Sequence, residues 1–262
     1  MQKGDLFTEC NRHCSKYRVV SNVLDEHKGL LRWSKDEVIL DVGCGPGDVT
    51  HNVLLSRIPD DACKYVVGVD ISPTMKEYGF KNFPHPKLIF ETLDMSNKNL
   101  DVIRNDPRLK DGFDKIFSFF TLHWIHDLKT ALKNMYTLLK PGGQALFMFP
   151  IDRIYQRTFI EIQKRQPCDD PAEEFVTLLK EAGFKVAVSK TDETEDEYEN
   201  IETLKKLVES LDKFNSKIPV ELKDKFLNEC IEILRRDIRA LRQTENGKVY
   251  PKNRKLIAFV EK

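Results

Sequence analysis

The sequence predicts a doubly wound α/β fold on a mainly parallel, seven-stranded sheet, with helical lid insertions over one edge. Three observations predict it. Short apolar runs alternate with longer amphipathic stretches in the order β-α-β-α-β, the signature of parallel strands joined by helical crossovers. Four of the runs are continuously apolar, as strands covered on both faces are. The first run then opens into "ILDVGCGPGDVT" (39–50), three glycines within five residues at the end of a strand.

Taken in order, residues 5–33 read as helical, with the apolar spacing of "YRVVSNVLDEH". Strands follow at "EVILDVG" (37–43), "KYVVGVDI" (64–71), "KLIFETLD" (87–94), "FDKIFSFF" (113–120), "GQALFMFP" (143–150) and "FKVAVSK" (184–190). Helices are expected between them at 49–58, 72–82, 128–140 and 171–183. The acidic run "TDETEDEYEN" (191–200) reads as a solvated loop. Two more helices occupy 201–242, and "KLIAFVEK" (255–262) closes the chain as a last strand. The whole of 1–262 is expected to form one unit: a cofactor-binding core over 37–190, an N-terminal helical lid over 5–33 and a helical insertion over 201–242.

Composition narrows the partners. Forty-two basic side chains balance 42 acidic ones, so no global field attracts nucleic acid or an anionic membrane. No apolar stretch approaches the length of a membrane span, and the start "MQKGDLFTEC" lacks the apolar core of a signal peptide. A soluble cytoplasmic protein is expected. The six cysteines form no Cys-x-x-Cys pair and share no zinc-ligand spacing with histidine, which predicts reduced thiols and no metal.

The glycines suit close approach of backbone to a ligand at a helix N-terminus. A dinucleotide fingerprint wants its third glycine one position later, where Asp48 stands. An acid there repels a pyrophosphate and suits a sulfonium; it is equally a plain helix cap. Asp70, closing "VVGVD", has the position of a carboxylate that accepts from ribose hydroxyls, a device that dinucleotide enzymes share. Asp94 in "TLDM" reads as an acceptor for an adenine amino group or as a turn residue.

The segment after the fourth strand is decisive. "LDVGCGPG", "GVDIS", "SFFTLHWIHD", "LLKPGG" and the apolar fifth strand, in that order, resemble the Rossmann-like class I S-adenosylmethionine-dependent methyltransferases. Within them the chain is most similar to the juvenile hormone acid O-methyltransferases, through "GCGPGDVT", "SFFTLHWI" and "IPVELKDKFLNECIEILRR". The resemblance implies S-adenosylmethionine as cofactor, held by Asp41, Gly43, Cys44, Gly45, Gly47, Asp70, Ile71, Asp94, Met95 and Ser118.

It also implies a small-molecule acid as acceptor, an apolar one of the farnesoic or juvenile hormone acid type. Another small acid or an amine, or a cofactor- or lipid-binding role without turnover, stay open as alternatives. A carboxylate is already ionised at neutral pH and needs no general base, so Trp124 and His123 would act by orienting it. Cys14, Phe120, Trp124, Tyr155 and Phe159 would contact the acceptor. Phe7, Tyr17, Ile154 and Phe214 are further lining candidates, and His126 reads as an exposed loop residue. The family has a glutamine at position 14 to grip the carboxylate; here it is Cys14, a weak donor, with His13 and Lys16 expected off that helix face. The segment "DRIYQRTFIEIQKRQPCDD" (152–170) is shorter than in relatives. No nucleic acid and no membrane span are expected, and a homodimer is the one assembly allowed for.

Overall fold

A computed structural model describes residues 4–13, 15–151, 170–211, 219–236 and 241–262. The sheet is built from β1 (Glu37–Val42), β2 (Cys63–Asp70), β3 (Leu88–Thr92), β4 (Phe113–Phe119), β5 (Leu139–Pro150), β6 (Lys185–Glu195) and β8 (Val249–Glu261). These run in the order β3-β2-β1-β4-β5-β8-β6, and a short β7 (Leu241–Gln243) pairs with β8 outside that path. The first five are mutually parallel, while β8 is antiparallel to both β5 and β6.

Alternation along β1 explains the two-sided burial. Val38, Leu40 and Val42 enter one core with Leu132 and Met135 of α5 (Leu128–Leu138) and Phe175 and Leu179 of α6 (Pro171–Ala182). Ile39 enters the other, with Val20, Val23 and Leu24 of α2 (Lys16–His27) and Val53 and Leu54 after the glycine loop. All six β1 residues are buried. Each face of the strand therefore has its own helical cover, and the continuously apolar reading follows.

The chain leaves β1 toward β2 on one side, and β4 returns on the other. Between them lies the topological switch point, the crevice that open α/β sheets use for ligands. The glycine loop, Asp70 and the exit of β4 all reach it. Over this edge sit α1 (Gly4–His13) and α2. The first helix packs on α7 (Ile201–Leu211), joined by the Lys206–Glu9 ion pair at 3.2 Å. Then α8 (Val220–Arg236) follows.

Two expectations are corrected. The segment 49–58 is not an ordinary α-helix: a π-helical turn over Thr50–Leu54 runs into a 3₁₀ turn over Leu55–Arg57. Thr50 donates from its hydroxyl to Asp41 Oδ2 at 2.6 Å, and such wide turns recur where a side chain is drawn toward a functional site. The acidic run is no solvated loop either. Residues 191–195 continue β6 against β8, and Asp196 and Tyr198 beyond it are buried. Cross-strand ion pairs from Lys252 to Glu193 and Arg242 to Glu195 offset the like charges. The last strand accordingly starts at Val249, ahead of the expected 255.

Candidate active site

The glycine loop owes its shape to two positions. Gly43 has φ +74°, and a Cβ there would lie 2.1 Å from Cγ2 of Thr121, whose hydroxyl donates to Gly43 O at 3.0 Å. Gly47 has φ +86°, and a Cβ would meet the Phe90 ring at 2.5 Å. Both sites demand glycine on backbone and packing grounds together. At Gly45 a Cβ would meet only Phe7 Cε1, at 3.7 Å, because this residue borders open space.

That space is a cavity of about 460 Å³. At the loop end its wall includes Asp41, Asp48, Asp70 and Asp94. Asp70 ends β2 and accepts from Gly45 N at 3.1 Å and Ser72 N at 2.9 Å, one through each oxygen. Asp94 Oδ1 accepts from both the backbone N and the hydroxyl of Ser96, so the turn expectation is met while the residue also borders the cavity. Asp41 is pushed up to about 7, chiefly by burial and further by the carboxylates of Asp70 and Asp48, against the lowering effect of the Thr50 hydrogen bond. Burial, with the same acids, drives the Cys44 thiol well above its ordinary range and keeps it protonated.

Asp48 resolves in a way neither sequence reading foresaw. It is fully buried, and its Oδ2 accepts from Asn11 Nδ2 at 2.9 Å and from the Tyr17 hydroxyl at 2.8 Å. The acid that replaces the third glycine thus fastens α1 and α2 to the loop. Its Oδ1 is also buried and accepts no hydrogen bond among the described residues.

A second stretch of the wall begins where β4 stops, beside the loop. Phe120 turns out of the strand with φ +56°, an uncommon backbone for an aromatic residue, with its N–H donating to Met148 O at 2.8 Å. A 3₁₀ turn over Leu122–Trp124 follows. Its His123 ring lies 4.9 Å from the Trp124 ring and stacks on Phe149 at 6.5 Å. Behind Phe120 lies a buried polar cluster: Asp196 Oδ1 accepts from Lys255 Nζ at 2.9 Å and Ser15 Oγ at 3.0 Å, and Oδ2 accepts from Asn253 at 2.6 Å. Lys255 also donates to Thr194.

Among the sequence candidates, Asp41, Gly43, Cys44, Gly45, Asp70, Ile71, Asp94, Met95, Phe120, His123 and Trp124 come together on this one cavity, as does Phe7. Ser118 does not. It is fully buried and donates to Val42 O at 2.9 Å, tying β4 to β1 inside the sheet. Gly47 also stays off the cavity wall, against Phe90. Tyr17 is spent on Asp48, and His126 is exposed at the rim. Cys14, Ile154, Tyr155, Phe159 and Phe214 lie outside the described residues. The cluster of Ser15, Asp196, Asn253 and Lys255 escaped sequence reasoning, although the basic spacing of "KVYPKNRK" opposite an acidic run was its signal.

The sheet order, the loop and the carboxylates around it define a class I S-adenosylmethionine-dependent methyltransferase, and the methyltransferase domain family matches residues 40–147. Two curated relatives narrow this. The juvenile hormone acid O-methyltransferase of Drosophila melanogaster is 31% identical, across 89% of this chain and 83% of its own. That of Bombyx mori is 29% identical, across 94% of this chain and 91% of its own. The chain belongs to the juvenile hormone acid O-methyltransferase family. In fold alone it is similar to Haemonchus contortus phosphoethanolamine N-methyltransferase 2, solved with S-adenosyl-L-methionine. That likeness has a TM-score of 0.56 and 15% identity, over 92% of this chain and 52% of the other.

Proposed function

We propose that this methyltransferase esterifies the carboxylate of an apolar acid of the farnesoic or juvenile hormone acid type. The observation that carries the reading is the continuity of one cavity from the carboxylates of the glycine loop to the indole of Trp124. A methyl donor held at one end would then face an acceptor held at the other.

At the cofactor end the residues fit S-adenosylmethionine. Asp48 Oδ1, buried on the cavity wall without a hydrogen bond among the described residues, and the open space at Gly45 leave room and an acceptor for a ligand rich in donors. Asp70, at the end of β2 on the cavity wall, would accept from the ribose hydroxyls. Asp94 Oδ2 would accept from the adenine amino group, with Met95 and the exposed Ile71 against the ring faces. When bound, the cofactor supplies an electrophilic methyl on a sulfonium. Carboxylates lining the pocket favour that cation, since buried opposite charges interact strongly in a low effective dielectric.

At the acceptor end, Trp124 would donate its indole N–H to one carboxylate oxygen, leaving the other in line with the methyl, about 3 Å away. His123, tilted against the indole with ring centroids 4.9 Å apart, would help hold it in place. Phe7, Phe120, Ile125 and Pro150 give the wall its apolar character. No base is required, because the nucleophile arrives ionised.

The test is methyl transfer from labelled S-adenosylmethionine to farnesoic acid, with the ester identified by mass. Ester at many turnovers is the expected result. Cofactor binding without ester would remove the acid from the reading and leave the methyltransferase intact.

A further inference from the structure

We propose that Lys16 is the anion-selecting residue of the acceptor site, the group that favours a carboxylate and turns away an amine. This deepens the carboxyl-methylating reading above and rests on it. Lys16 opens α2, borders the cavity and is half-buried. Its Nζ sits over two ring faces, 4.5 Å from the centroid of Phe7 and 5.2 Å from that of Phe120. No described carboxylate forms an ion pair with it.

The neighbouring lysine shows the contrast. Lys255 also has its ammonium over Phe120, at 5.9 Å, but Asp196 neutralises it at 2.9 Å. Among the described residues, the wall beside Phe7 and Phe120 therefore carries the unneutralised charge of Lys16, while four acidic residues line the cavity around the glycine loop. Ring faces compensate a half-buried ammonium less well than a carboxylate does. An acid entering the cavity supplies the missing partner.

The position also answers the substitution at residue 14. Lys16 would be off the relevant face if one helix ran through it. Instead Lys16 opens α2, and its side chain reaches the cavity. An ammonium on this wall supplies the charged donor that the family resemblance gives to a glutamine at position 14. An amine acceptor arrives protonated, meets Lys16 with like charge and would still need a base.

The chemistry is consistent with such a clamp. The O–CH₃ bond forms from a carboxylate lone pair as the S–CH₃ bond breaks, with its electron pair left on sulfur; no proton moves. The ester has no charge, so Lys16 loses its partner at the moment of transfer and product release is eased.

Calorimetry would compare farnesoate with its methyl ester, in the presence of S-adenosylhomocysteine, on the parent, Lys16→Met and Lys16→Arg. The parent should prefer the acid by at least about 10-fold, the scale of a charged hydrogen bond. Lys16→Met should erase that preference with ester and cofactor affinities unchanged, and raise KM far more than it lowers kcat. Lys16→Arg should keep the preference. A parent without preference, or a Lys16→Met protein that retains it, overturns the proposal. Preference lost in Lys16→Met with no methyl transfer by the parent would uphold Lys16 and sink the esterification reading. Ester formation with preference intact in Lys16→Met would do the reverse.

Discussion

Asn11 of α1 donates to Asp48 Oδ2 at 2.9 Å, and the first helix is thereby fastened to the glycine loop through a buried carboxylate. Tyr17 of α2 donates to the same oxygen at 2.8 Å. The covering helices are thus held by hydrogen bonds to a charged group, which contribute more than neutral ones.

Asn11→Leu should therefore destabilise the protein by about 1.5–3 kcal/mol, lowering Tm by about 5 °C, and weaken cofactor binding as the cover loosens. Thermal unfolding of Asn11→Leu, Tyr17→Phe and the double variant would show coupling between the two donors. Strict additivity would mean that they do not share Asp48.

The periodicity of the apolar runs was enough to read the sheet, because strands covered on both faces must be apolar throughout. The glycine loop, Asp70 and Trp124 were legible as spacing within one stretch of chain. The Asp196 cluster was not, for a physical reason. Its members come from the cap of α2, the residue after β6, and β8, and meet only when β8 lies antiparallel beside β6. Taken alone, 191–200 looks solvated; beside Lys248, Lys252 and Lys255 its charges are paired. Ser118 erred the other way: strand alternation turns its hydroxyl into the sheet, where Val42 O takes it.

Asp41 predicts a pH dependence. Its pKa of about 7 in the folded protein exceeds the ordinary 3.8, so the folded state holds a proton that the unfolded chain has lost. Between 3.8 and about 7 this group's contribution to stability consequently falls as pH rises. A cationic cofactor favours the ionised form, so binding should tighten as pH rises through about 7, by at most about tenfold per unit below it. Protons should be released on binding, measurable by calorimetry in buffers of different ionisation enthalpy. Asp41→Asn should flatten the profile; an unchanged slope would assign the proton elsewhere.

Asp70→Ala should weaken S-adenosylmethionine binding by roughly 1–3 kcal/mol. Part of that loss comes through the loop, since Gly45 N and Ser72 N lose their acceptor. Asp70→Asn keeps one carbonyl oxygen and should lose less. Equal affinity for parent and Asp70→Ala by calorimetry would remove Asp70 from the cofactor site.

Trp124→Phe separates the indole N–H from the ring. The residue is half-buried in the 3₁₀ turn, and its backbone N–H bonds to Thr121 O at 2.8 Å. A phenyl ring can keep the contact with His123 that the indole makes at 4.9 Å, so the turn should survive. On the proposed reading, the substitution takes away the N–H that would orient the acceptor carboxylate. A charged hydrogen bond is worth about 1.5–3 kcal/mol, so kcat/KM for the acid should fall by about 10- to 100-fold. S-adenosylmethionine affinity should be retained, since the indole N–H is assigned to the acceptor and not to the cofactor. Steady-state kinetics beside cofactor titration reads both quantities. A variant as active as the parent would mean that orientation of the acceptor rests on another donor, and Lys16 would then be the first residue to substitute in the same background.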